Sequence, residues 1–120
     1  MKIIVDAFGG DNAPDEVIKG AVRAVNELGV EIILTGDEDK IEKSAKELGL
    51  SLKNITVVHT TEVFDIHEEP VKIVKTGKNT SMGLGLKMLH DGEGDAFVSA
   101  GSTGALVVGS TMIVKRIKGV

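Results

Sequence analysis

Short β-branched runs separated by amphipathic stretches set the first limit on this fold. Lys2-Ile3-Ile4-Val5-Asp6 has strand length and composition and is stopped by Gly9-Gly10; Glu31-Ile32-Ile33-Leu34-Thr35 and Ile55-Thr56-Val57-Val58-His59 repeat the pattern. Between the first two, Asp11-Asn12-Ala13-Pro14-Asp15-Glu16 carries the marks of a helix start, with Pro in the first turn and acids near the positive end of the helix dipole. Ile18, Ala21, Val22, Val25 and Leu28 then fall on one face, and Gly29 ends that helix. After a turn at Gly36-Asp37, a helix from Lys40 to Leu48 presents a narrow stripe of Ile41, Ala45 and Leu48 and is closed by Gly49. Such alternation predicts βαβ units, and hence a three-layer α/β fold whose mostly parallel sheet is covered by helices on both faces.

The interval from Thr60 to Lys78 breaks the rhythm. It is polar, with Glu68-Glu69-Pro70, Lys72, Lys75 and Lys78, and only a brief helix-like patch at Val71 to Val74; long loops in compact domains tend to be functional. A helix restarts around Asn79 or Thr80 with Met82, Leu86 and Leu89, weakened by Gly83 and Gly85. Ala96-Phe97-Val98 then reads as a buried strand. It leads through Ser99-Ala100-Gly101-Ser102-Thr103-Gly104-Ala105-Leu106 into a run with helical spacing at Leu106, Val107, Met112 and Ile113. Two glycines allow close backbone approach, Ser102 and Thr103 supply hydroxyls and a cap, and the N–H groups of the new helix face the turn. A strand-to-helix turn of this kind suits an anion, although small residues also let a helix pack tightly on a sheet.

Several function classes are set aside by what the chain lacks. Ala96 to Val114 runs nineteen residues without a charge, but Ser99, Gly101, Ser102, Thr103 and Gly104 split it into strand and helix rather than a membrane span. Fourteen basic against eighteen acidic residues leave a charge of −4, and the three aromatics are all Phe, so no nucleic-acid surface is expected. Without cysteine there is no disulfide, zinc–thiolate site or cysteine acyl-enzyme. The apolar start reaches Asp6 too soon for a signal peptide, which makes a cytoplasmic location the expectation.

In an open parallel sheet, ligands gather beyond the carboxyl ends of the strands. Three stretches meet there: Asp6 to Pro14, His59 into the lysine-bearing loop, and Ser99 to Gly104. Glycine-flanked N–H groups, helix N-termini and nearby lysines suit a phosphate or a phosphate-bearing substrate. Asp6 and Asp11 have too few oxygen ligands nearby for a metal site, and carboxylates at strand ends more often cap the following turn. His59, His67 and His90 are far apart, and a strand-end hydrogen bond is the better reading for His59 than catalysis. Lys115, Arg116 and Lys118 complement the end of the last helix, while Lys72, Lys75 and Lys78 form either a solvated face or an anion-attracting one.

These residues resemble one family. Val5-Asp6-Ala7-Phe8-Gly9-Gly10-Asp11-Asn12-Ala13-Pro14 is similar to the N-terminal signature of the bacterial phosphate acyltransferases, the PlsX enzymes of fatty acid and phospholipid synthesis. Glu69-Pro70-Val71, Lys78-Asn79-Thr80-Ser81-Met82, the stretch from Ser99 to Leu106 and Arg116-Ile117-Lys118-Gly119 match further blocks in the same order. Phe8 stands where the family usually has Met, Ser102 where it has Asn, and Thr76-Gly77 interrupts its basic cluster.

The resemblance implies transfer of a fatty acyl group from acyl-acyl carrier protein to inorganic phosphate. The acyl phosphate product would serve a downstream membrane glycerol-3-phosphate acyltransferase. It implies a fold similar to that of the isocitrate and isopropylmalate dehydrogenases and the phosphotransacetylases, a homodimer at full length, peripheral membrane association, and neither cofactor nor metal. On that basis Gly101, Ser102, Thr103 and Gly104 are expected to bind phosphate or the oxyanion. Asp6, Gly9, Gly10 and Asp11 would form the facing wall, and Lys78 and Ser81 would position phosphate or the carrier's phosphopantetheine. Family members are more than twice as long, so residues 1–120 are expected to be the N-terminal α/β portion of a longer acyltransferase and inactive alone. Two other readings stand beside this one: a phosphotransacetylase-like enzyme acting on acyl-CoA, and a non-catalytic module binding phosphate or carrier protein. A nicotinamide enzyme is disfavoured because G-x-G-x-x-G is absent after the first strand.

Overall fold

A computed structural model describes residues 1–9, 13–63, 73, 77 and 79–99. Within them, β1 (Lys2–Asp6), α1 (Asp15–Leu28), β2 (Glu31–Gly36), α2 (Glu38–Glu47), β3 (Ile55–His59), α3 (Ser81–His90) and β4 (Ala96–Val98) follow one another along the chain. The four strands form one sheet in the order β3-β2-β1-β4, and every pairing is parallel. The predicted α/β architecture is therefore present.

Both faces of the sheet are covered. Ala7, Ile32 and Leu34 pack with Ile18, Ala21 and Val22 of α1 and Ile41 and Ala45 of α2. On the opposite face, Ile4 and Ile33 pack with Met88 of α3, flanked by Leu84, Leu89, Val58 and Phe97. Alternate residues of β2 thus enter both cores, which is why it reads as an unbroken apolar run. Ile73, within the polar interval, is fully buried.

Five local expectations need correction. β4, expected to be a buried strand, is only half-buried at Ala96 and Phe97, and Val98 is 53% exposed. Pro14 is the cap residue preceding α1, not a member of its first turn, and the helix begins at Asp15 with no side-chain cap. Leu28 is 72% exposed, because Gly29 takes a left-handed φ of 66° at that point and turns the chain toward β2. Helix α2 starts at Glu38, two residues early, since the Asp37 carboxylate accepts from the Asp39 and Lys40 N–H groups; it ends at Glu47, leaving Leu48 half-buried at the cap. Gly85 does more than weaken α3. A Cβ there would lie 2.2 Å from Phe97 Cε1, so the glycine is what lets α3 approach β4.

Candidate functional site

β1, β2 and β3 are laid down in one direction, after which the chain crosses back and places β4 on the other side of β1. The strand order therefore reverses between β1 and β4, and the crevice beyond their carboxyl ends is where a doubly wound sheet takes its ligand. Asp6, the last residue of β1, stands at that point and is 2% exposed. Its Oδ1 accepts from the Phe8 N–H at 3.0 Å, and its Oδ2 accepts from the Ser99 hydroxyl, just past β4, at 2.9 Å. One carboxylate thus shapes the turn after β1 and ties it to the start of the turn after β4. This is the capping role anticipated for Asp6, extended across the crevice.

Thr35 carries the arrangement onto α3. It is the register partner of Asp6, it is fully buried, and its Oγ1 donates to the Ser81 carbonyl at 2.7 Å. The Ser81 N–H donates to the Glu62 carbonyl at 2.9 Å, so the first residue of α3 is held by its backbone on both sides. Thr80 caps the helix by accepting from the Gly83 N–H at 3.1 Å. The N-terminus of α3 accordingly lies over the carboxyl end of β2, next to the strand that ends at Asp6.

Gly9 is buried beyond β1. Gly36 ends β2 beneath the Phe8 ring, where a Cβ would meet two ring carbons at 2.4 Å. His59 ends β3, and its Nδ1 accepts from the Glu38 N–H at 3.0 Å, the strand-end hydrogen bond expected of it. Of the anticipated site residues, Asp6, Gly9 and Ser81 are brought to one edge. Gly10, Asp11, Lys78, Gly101, Ser102, Thr103 and Gly104 lie outside the described residues, as do Lys72, Lys75 and the helix from Leu106. Thr35 was not assigned from sequence, although a threonine ending an otherwise apolar strand was an available signal, and Ser99 entered only as the first residue of the stretch from Ser99 to Gly104.

Among the described residues, two cavities lie against the sheet. The larger, about 650 Å³, is lined by Lys2, Glu31, Asn54, Ile55 and Glu93 and opens at the amino edge, where a parallel sheet does not gather ligands. A groove of about 310 Å³ between β1, β4 and α1 is bordered by Ile3, Val5, Ala24 and Val98 and reaches Asp6 and Ser99. Among the described residues, no group of three or more His, Cys, Asp or Glu side chains could hold a metal ion, and no helix is long and apolar enough to cross a membrane.

A family model described as "Fatty acid synthesis protein" matches residues 1–120. The phosphate acyltransferase of Clostridioides difficile is 42% identical over 120 residues, which are 100% of this chain and 35% of that protein. The phosphate acyltransferase of Thermoanaerobacterium thermosaccharolyticum is 48% identical over 120 residues, again 100% of this chain and 35% of the relative. The chain spans about a third of the length of the curated relatives it matches. Among solved structures, EutD phosphotransacetylase from Staphylococcus aureus superposes with a TM-score of 0.68 at 24% identity, covering 100% of this chain and 39% of that one. A phosphotransacetylase from Streptococcus pyogenes gives 0.70 at 24% identity, covering 100% and 40%. The last two comparisons establish a shared fold.

Proposed function

Because the chain belongs to the fatty acid synthesis protein family, we propose that it forms part of a phosphate acyltransferase. The enzyme moves a fatty acyl group from the thioester of acyl-acyl carrier protein to inorganic phosphate. A phosphate oxygen attacks the thioester carbonyl, the new C–O bond forms, the C–S bond breaks, and the proton of hydrogen phosphate leaves with the carrier's thiol. Phosphate is already an ionised nucleophile near neutral pH, so the protein's task is to hold it, align it and stabilise the developing oxyanion. This chemistry requires no cysteine, nucleotide or metal.

The observation that carries the reading is the family match over the whole chain, together with relatives named phosphate acyltransferase. The Asp6–Ser99 hydrogen bond supports the placement of the site at the β1/β4 crevice. A carboxylate repels phosphate, so Asp6 acts by fixing the Ser99 end of the turn, and the phosphate is taken by Gly101, Ser102, Thr103 and Gly104. Gly9, Gly10 and Asp11 form the facing wall, and Lys78 draws the anion in. Residues 1–120 are the N-terminal portion, and the rest of the family's length supplies the other wall of the cleft and the homodimer interface. The product passes to a membrane glycerol-3-phosphate acyltransferase, and the enzyme works in the cytoplasm with peripheral contact to the membrane. The test is trapping of acyl phosphate as hydroxamate after incubation of acyl-acyl carrier protein with phosphate. The chain extended to the family's length should turn over and acyl-CoA should be a poor donor; absence of product from the extended chain overturns the reading.

A further inference from the structure

Ser81 is fully buried, and its Oγ has no hydrogen-bond partner among the described residues. A buried hydroxyl without a partner is uncommon and unfavourable, because it has given up water and received nothing in return. Neither backbone group of Ser81 compensates, since its N–H is committed to Glu62 and its carbonyl to Thr35. The hydroxyl belongs to the first residue of a ten-residue helix, at the positive end of the helix dipole. It is held over Thr35, the register partner of Asp6, at the carboxyl edge of the sheet.

We infer that the Ser81 Oγ–H is a donor kept for a phosphoryl oxygen of the substrate. The inference rests on the phosphate acyltransferase reading and deepens it by naming a donor on α3, at the carboxyl edge of the sheet. The neighbouring charge selects an anion, because a cation would meet the positive helix end. Two sources supply the chemistry: free phosphate, and the phosphodiester of the carrier's phosphopantetheine arm.

The experiment is thermal unfolding of the chain and of its Ser81→Ala variant, with and without inorganic phosphate, in chloride-matched buffer. A second series uses 4′-phosphopantetheine. Removing an unpaired buried hydroxyl relieves a penalty, so Ser81→Ala without ligand should melt at the same temperature as the parent or higher. The parent should be stabilised by at least one of the two probes, and the variant should bind that probe about ten- to a hundredfold more weakly, the usual range for one hydrogen bond to a charged group. A loss confined to phosphate assigns the seat to the reacting anion, and a loss confined to 4′-phosphopantetheine assigns it to the carrier arm. Destabilisation of the ligand-free variant overturns the inference, because the hydroxyl would then be serving the fold. Equal stabilisation of both proteins, or of neither, also overturns it. The acyltransferase reading fails separately, if the extended chain makes no acyl phosphate while phosphate still binds through Ser81.

Discussion

Gly36→Ala should be among the most damaging single methyl additions in this chain. Gly36 closes β2 with a φ of +154°, which L side chains rarely adopt, and a Cβ there would lie 2.4 Å from Phe8 Cδ2 and from Phe8 Cε2. Ordinary carbon contacts are about 3.5–4.0 Å, so the ring would have to move by more than about 1 Å. Phe8 packs against the core under α1 and α2, which resists that movement. Overpacking of this kind costs about 1–3 kcal/mol, and the strained backbone about 1–3 kcal/mol more. Stiffening of the unfolded chain returns about 0.4–1 kcal/mol. The net loss is about 1–6 kcal/mol, a large share of the roughly 5–15 kcal/mol that holds a domain together. The ring also matters to the site, since the Phe8 N–H is the one bound by Asp6. Urea unfolding measures the loss, with an unchanged denaturant slope as the check that only stability has moved. In a Phe8→Met background the flexible side chain yields, the clash is relieved, and only the backbone cost of about 1–3 kcal/mol remains. The coupling between the two positions should then equal the relieved overpacking, about 1–3 kcal/mol. A cost below about 0.5 kcal/mol, or the same cost in both backgrounds, refutes this reasoning.

Three further substitutions probe the same framework. Gly85→Ala should destabilise by about 1 kcal/mol, because contact with Phe97 outweighs the helix-propensity gain of about 1 kcal/mol; in a Phe97→Ala background the sign should reverse in chemical denaturation. Asp6→Ala removes the acceptor for both Phe8 N–H and Ser99 Oγ and should cost about 2–4 kcal/mol, while Asp6→Asn, which keeps the shape and one acceptor, should cost less than half of that by the same measurement. His59→Ala should accelerate hydrogen exchange at the Glu38 amide and cost about 0.5–1 kcal/mol, with Asn at this position restoring much of the protection.

What could be read from residues alone follows a physical line. β1 and β3 were bounded to the residue, because β-branched runs end abruptly at turn formers. The helices were found, but α2 begins at Glu38, two residues before the predicted Lys40, because Asp37 caps it there, and Leu28, the last residue of α1, is exposed instead of lying on the buried face. Gly85 reads as a poor helix former until β4 is placed beside it, since close approach is a property of two elements. Asp6 and Ser81 were legible as candidates through their motif blocks. Their connection through Thr35, and the tie from Asp6 to Ser99, depend on parallel register and on which side of β1 the last strand falls. Neither is written in local periodicity. The buried state of Ser81 Oγ is of the same kind, for it requires the helix to be seated on the sheet.

On the proposed reading, the anion site lies at the carboxyl edge, where β1 and β4 part and α3 begins. Backbone amide chemical shifts of the chain, followed through a titration with inorganic phosphate, test it most directly. The claim predicts that Phe8, Gly9, Ser81, Met82 and Ser99 respond together with one dissociation constant, while Lys2, Glu31, Asn54 and Glu93 around the amino-edge cavity stay still. Shifts centred on that cavity, or shifts absent from the first group, would contradict it.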